Sequence, residues 1–60
     1  MDAVDVANYA RKLLDAHGDK AEVEAAQKAV ECEKGGDAIQ AETWRRIRSA
    51  IATMRSPHAS

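Results

Sequence analysis

The 60-residue sequence predicts an all-α fold, a small three-helix bundle. Two turn signals, His17-Gly18-Asp19 and Gly35-Gly36-Asp37, divide the chain into three segments of similar length. Within each segment the apolar residues recur every three to four positions, as on a helix with one face in a core. No strand pattern competes. We therefore predict helices at 3–17, 20–34 and 38–55 in a single helical domain, 1–55, followed by a disordered tail, 56–60.

Both turns combine a glycine with an aspartate. Glycine readily adopts the left-handed conformation that ends many helices, and aspartate caps the start of the next one. Glu22 follows Asp19 by three residues and Gln40 follows Asp37 by three, so each turn resembles a capping box. Such short connections predict antiparallel neighbours, although the first helix could instead splay away to meet a second chain. Structural turn and cap roles are assigned to His17, Gly18, Asp19, Gly35, Gly36 and Asp37.

Each predicted helix has an apolar face. In the first helix it comprises Val6, Tyr9, Ala10, Leu13, Leu14 and His17. In the second it is unusually wide, with one edge of Ala21, Ala25, Ala29 and Cys32 and another of Val23, Ala26 and Val30. A middle helix that packs closely against two neighbours needs such a face. In the third it comprises Ile39, Thr43, Trp44, Ile47, Ala50, Ile51 and Met54.

The composition predicts a small core. Apolar residues make up 45% of the chain, but 13 of them are alanines. Ordering a chain costs on the order of 1.5 kcal/mol per residue, so few large apolar side chains leave an isolated domain of this size marginal. Intrinsically good helices or a second copy of the chain would supply the missing stability.

Charge and cysteine content narrow the classes of function. The formal net charge of −1 argues against a strongly basic nucleic-acid-binding protein. One cysteine cannot form an intrachain disulfide, which fits a reducing cytoplasm. The first ten residues lack a signal-peptide pattern, and no apolar run is long enough to span a membrane. We therefore expect a cytoplasmic protein that does not associate with membranes.

The third helix carries the candidate interaction surface. Arginines flank the single tryptophan, and Trp and Arg are favoured at binding hot spots. One interpretation is a docking surface with an aromatic anchor; the other is a tryptophan in the core with arginine stems lying along it. The predicted surface consists of Trp44, Arg45, Arg48, Ala52 and Arg55.

No residue pattern indicates catalysis, a metal or a cofactor. His17 is interpreted as a structural residue at the end of the first helix, where an imidazolium interacts favourably with the helix dipole. Cys32 lies between Glu31 and Glu33, whose charges disfavour a thiolate, so it is interpreted as a small buried or half-buried residue. We predict that the chain is not an enzyme.

The spacing of the landmarks resembles a family of very short uncharacterised alphaproteobacterial proteins, a domain of unknown function. The pattern is His17-Gly18, then Gly36-Asp37, then Trp44 and Ile47, and the similarity extends from about Ala7 to Met54. The resemblance implies a small cytoplasmic helical protein without an assigned activity, and it supplies no catalytic residue. The alanine-rich second helix and the arginine-rich third helix depart from the family pattern.

These observations predict a non-enzymatic interaction module whose partner is another protein or a second copy of the chain. The alternative is a nucleic-acid-associated regulator that uses Arg45, Arg48 and Arg55. The sequence does not favour a DNA-binding helix-turn-helix. The second helix is long, the glycine doublet favours a tight reversal, and Arg46 points away from Arg48 and Arg55. Net acidity also weakens attraction to phosphates.

Overall fold

The computed structural model describes residues 3–55 and forms a three-helix bundle. Helix α1 spans Ala3–His17, α2 spans Lys20–Lys34 and α3 spans Ala38–Arg55. The predicted fold class is confirmed, and the predicted helix boundaries agree with the observed ones. Residues 3–55 contain no strand. The tail predicted at 56–60 lies outside the described residues.

The turn between α1 and α2 follows the prediction at its glycine but not at its aspartate. Gly18 has φ +58°, and its N–H donates to the Leu14 carbonyl at 2.7 Å, which closes α1 with a left-handed cap. Asp19 itself is helical, with φ −61° and ψ −22°, and its side chain makes no capping hydrogen bond. The predicted capping box is therefore wrong here, because the carboxylate of Asp19 lies 3.2 Å from Arg55 of α3 instead.

The turn between α2 and α3 contains a complete helix stop and a helix start. Gly36 has φ +81°, its N–H donates to Glu33 at 3.1 Å, and the Asp37 N–H donates to Cys32 at 2.8 Å. This pair of bonds is the Schellman motif. Asp37 Oδ1 then accepts the Gln40 backbone N–H at 3.0 Å, as predicted for a helix N-cap. Gly35, by contrast, is right-handed at φ −81°.

The core is narrow and built mostly from small side chains. Ile47 and Ile51 are the largest fully buried side chains among the described residues. Leu13, Leu14, Trp44, Ala50 and Met54 are partly buried against the central cluster. The buried hydrophobic residues are Val6, Ala10, Ala21, Ala25, Ala29, Ala41, Ile47 and Ile51. Because alanine side chains are small, the three helices approach closely while little apolar area leaves water.

Helix α1 packs within the chain, and more extensively against α3 than against α2. Only one of the two apolar edges predicted for α2 is therefore covered. Val23 and Val30 are 57% and 47% exposed, so their assignment to a fully packed middle helix is wrong. Ile39, predicted in the apolar face of α3, is 80% exposed because it lies in the first turn of that helix, away from the buried cluster.

Candidate interaction surface

The tryptophan and the arginines of the predicted surface lie in two different environments, and its fifth residue, Ala52, is half-buried. Trp44 is half-buried against the core, where its ring meets Tyr9 of α1 edge-on, with centroids 5.7 Å apart at 74°. Arg45 and Arg55 instead lie on the side of α3 that faces α2, where they contact Glu33 and Glu22. Arg48 lines a groove together with α2 residues. The tryptophan and the arginines consequently do not form one continuous docking patch.

Two of these arginines join α3 to α2. Arg45 pairs with Glu33, and the Arg55 guanidinium lies 3.1 Å from Glu22 and 3.2 Å from Asp19. The Arg45 pair and the two Arg55 pairs lie at opposite ends of the helix pair, which is consistent with α2 and α3 running antiparallel. These arginines therefore serve contacts within the chain. Such exposed pairs contribute at most about 1 kcal/mol each.

His17 does not lie on the apolar face predicted for it. Its side chain is exposed at the end of α1, and Nδ1 lies 3.2 Å from the Glu24 carboxylate of α2. It lies in the last turn of α1, as predicted, and it also contacts a side chain of the neighbouring helix. Cys32 is half-buried, in line with the prediction.

A groove of about 670 Å³ runs along the solvent side of the α2–α3 pair. Its floor is apolar and consists of Val23, Ala26 and Val30, which we call the valine face. These residues follow one another at three- and four-residue intervals, so they form one stripe along α2. Arg48 and Arg55 of α3 form one wall. The polar residues of α2 that line the groove are Glu22, Gln27, Glu31 and Lys34.

The charges around the valine face are only partly neutralised. Glu22 and Arg55 pair with each other. Within residues 3–55, Glu31, Lys34 and Arg48 lie within 4.0 Å of no oppositely charged group. Arg48 is thereby distinguished from Arg45, Arg46 and Arg55, each of which contacts a carboxylate. The groove thus offers apolar surface together with charges available to a partner.

The groove combines apolar and charged side chains. Among the described residues no polar or charged side chain is fully buried, and no three His, Cys, Asp or Glu side chains are placed to hold a metal ion. An apolar stripe flanked by charges suits the apolar face of another helix. Sequence reasoning assigned Val23, Ala26 and Val30 to the core. The apolar arc of α2 is wider than one neighbouring helix can bury. This width was the signal in the sequence that part of the arc could be exposed.

Within the described residues, no helix combines the length and apolar character needed to cross a bilayer. Comparison with protein-family models, curated proteins and solved structures yields no match. The resemblance to the short alphaproteobacterial proteins consequently rests on the spacing of its landmark residues alone.

Proposed function

We propose that this protein is a non-enzymatic helical interaction module whose valine face binds a protein partner, either a different protein or a second copy of the chain. The observation that carries the proposal is the exposure of Val23 and Val30, one on each side of Ala26, on the floor of a groove. Burying a fully exposed valine side chain contributes roughly 1.5–3 kcal/mol. Val23 and Val30 are each about half exposed, so covering both contributes a part of that free energy at each position. Arg48 and Lys34, which have no ion-pair partner in residues 3–55, supply orientation through carboxylates of the partner.

The same geometry gives less support to the nucleic-acid alternative. Of the three arginines that this alternative uses, Arg45 and Arg55 already contact carboxylates of α2. A phosphate backbone would have to compete with those carboxylates, and the chain carries a net charge of −1. Arg48 alone makes a weak phosphate-binding surface.

The proposal also includes the cellular compartment of the protein and the family to which it belongs. A cytoplasmic location is supported by the single free cysteine, because disulfides are rare in that compartment. Membership of the short alphaproteobacterial family is supported by the spacing of His17-Gly18, Gly36-Asp37 and Trp44. Neither the compartment nor the family identifies a binding partner.

Capture from a lysate of the source organism, with and without nuclease, tests the proposed function. The immobilised wild-type chain is compared with the double variant Val23→Gln/Val30→Gln, in which glutamine preserves helix propensity. Val4→Gln is the matched control, since Val4 is 67% exposed on α1, away from the groove. We expect captured proteins that survive nuclease, are retained by the control and are lost with the double variant. Capture that disappears with nuclease, or that ignores the double variant, contradicts the proposal.

A further inference from the structure

We propose that the occupant of the valine face is a second copy of this chain, packed so that the two α2 helices run antiparallel. The inference rests on the proposed function, because it takes the valine face to be the binding surface. Three observations support the inference. They are the symmetry of the valine face about the midpoint between Ala26 and Gln27, the distribution of charges around that face, and the small core of the isolated chain.

The apolar pattern of α2 is suited to pairing with itself. Val23 and Val30 are separated by seven positions, two helical turns, with Ala26 and Gln27 midway between them. When two copies of α2 run antiparallel about that midpoint, Val23 of each copy lies opposite Val30 of the other. The small side chain of Ala26 lies close to the two-fold axis and allows the backbones to approach. A two-fold interface of this kind uses the same patch on both subunits and closes at two copies.

The charges that have no partner in residues 3–55 acquire partners in the same arrangement. Lys34 comes opposite Asp19 of the second copy, because both lie four residues outside a valine of the pair. The Asp19 side chain is 96% exposed, and its one contact within residues 3–55 is with Arg55. The two-fold symmetry forms this ion pair twice.

Arg48 also finds an acidic neighbour. Arg45 contacts Glu33, so these two residues lie at the same height along the helix pair. Arg48 lies about one turn after Arg45 on the antiparallel helix α3. It therefore lies at the height of Val30, with which it lines the groove. The antiparallel arrangement brings this level of one copy to the level of Val23 in the other, where Glu22 lies on the same flank of α2. Glu22 would then contact Arg48 in addition to Arg55 of its own copy.

The remaining unpaired acid of the groove, Glu31, lies on the other flank of the valine face. There, the antiparallel arrangement brings it within reach of the long, exposed side chain of Lys20 from the second copy. In a parallel pair in register, each of Lys34, Glu31 and Arg48 would instead lie beside its own copy. Charge complementarity therefore favours the antiparallel orientation.

The short length of α2 limits the area that the interface can bury. Helix α2 has 15 residues and is about 22 Å long. A standard interface removes about 800 Å² per partner from solvent, close to a fifth of the 4147 Å² exposed by this chain. A contact centred on one short helix lies at the small end of that range, so we expect dissociation in the micromolar range.

Sedimentation equilibrium between about 1 µM and 1 mM chain tests the dimer. We expect the apparent mass to rise from the 6.5 kDa of one chain to twice that value. The double variant Val23→Gln/Val30→Gln should dissociate at least about tenfold more readily, whereas Val4→Gln should behave as the wild type. Circular dichroism of each variant confirms that the helices are retained. A wild-type chain that stays monomeric, or a double variant that associates as well as the wild type, overturns the inference.

Disulfide cross-linking tests the orientation of the helices. In a Cys32→Ala background, Gln27→Cys places a thiol beside the two-fold axis, within the roughly 7 Å between Cα atoms that a disulfide can bridge. Lys34→Cys places two thiols about 22 Å apart along antiparallel helices but adjacent in parallel ones. Lys12→Cys, exposed on α1, reports random collision. We expect rapid cross-linking at position 27 and only the background rate at position 34. Rapid cross-linking at 34, or background rates throughout, overturns the antiparallel dimer.

The two experiments separate failure of this inference from failure of the proposed function. If the wild type is monomeric but its valine face still captures a different protein from lysate, the second copy is the wrong occupant and the interaction module stands. If neither self-association nor capture depends on Val23 and Val30, both proposals are wrong.

Discussion

The indole of Trp44 lies at the boundary between the core and solvent. It packs against the cluster that contains Ile47 and Ile51, and Tyr9 meets it edge-on. Edge-to-face aromatic pairs add about 0.5–1.5 kcal/mol beyond the area they bury. These contacts support the core interpretation of Trp44 over the interpretation as a docking anchor.

Replacing Trp44 with alanine should destabilise the domain severely. We expect Trp44→Ala to lower the free energy of unfolding by about 3–5 kcal/mol, since it removes a large packed ring and the contact with Tyr9. Trp44→Phe should lose less, because an aromatic ring remains against the core. Urea denaturation followed by circular dichroism measures both variants. An alanine variant whose unfolding midpoint matches that of the parent would contradict a structural role for the ring.

Two isoleucines of α3 provide a matched test of the core. Ile47 is 1% exposed and Ile39 is 80% exposed, although both belong to the apolar pattern of the helix. We expect Ile47→Ala to cost about 2–5 kcal/mol and Ile39→Ala to change stability by no more than about 0.5 kcal/mol. Thermal unfolding of the two variants decides the point, and equal losses would contradict the packing described for α3.

At the scale of the elements, helix limits could be predicted because their signals are local. Gly18 and Gly36 adopt positive φ angles, as helix-ending glycines do, and Asp37 caps α3. The behaviour of Asp19 could not be predicted, because its partner Arg55 is distant in sequence and reaches it only after α3 packs against α2. Local chemistry thus indicates where a helix begins, whereas tertiary contacts determine which side-chain bond forms there.

The glycine doublet should respond oppositely at its two positions. Gly36 needs a left-handed conformation that costs an L-residue roughly 1–2 kcal/mol, so Gly36→Ala should destabilise by about that amount. Gly35 is right-handed, and a Cβ added there would lie 3.5 Å from the Glu31 carbonyl oxygen, an ordinary contact. Gly35→Ala should therefore stabilise by about 0.4–1 kcal/mol through the unfolded state. Chemical denaturation of both variants tests this, and a stabilising Gly36→Ala would exclude the Schellman geometry.

The two aspartates of the turns should likewise differ. Asp37 accepts a capping hydrogen bond from Gln40, so Asp37→Ala should cost about 0.5–2 kcal/mol. Within residues 3–55 of a single chain, Asp19 makes no such bond and holds only an exposed contact with Arg55, so Asp19→Ala should cost clearly less in the dilute, monomeric chain. The comparison needs only the two melting temperatures at low salt. A larger loss for Asp19→Ala would mean that the capping roles are reversed.

At the scale of the whole molecule, the three helices could be predicted from the sequence, but not which of their apolar edges a neighbouring helix buries. Periodicity reports the width of the apolar arc on α2, whereas coverage of Val23 and Val30 depends on where α1 lies. Because α1 packs mainly against α3, that edge remains open. The partners of the α3 arginines could not be predicted either, because Arg45 and Arg55 meet the carboxylates of α2 only after the two helices pack together.

The exposed edge and the small core have a common consequence. Two isoleucines are the only large side chains fully buried in residues 3–55, so burial within one chain is limited. If two copies pair through the valine face as proposed, the contact adds burial that the single chain lacks. Folding and association are then coupled, and stability depends on protein concentration.

The thermal unfolding midpoint measured against protein concentration tests this account most directly. With a second copy on the valine face, the midpoint of the wild type rises as the concentration increases from about 1 µM to 1 mM, because mass action favours the folded dimer. The midpoint of Val23→Gln/Val30→Gln should stay constant over the same range, while that of Val4→Gln follows the wild type. A wild-type midpoint that does not change with concentration, or one that the double variant reproduces, would contradict the account.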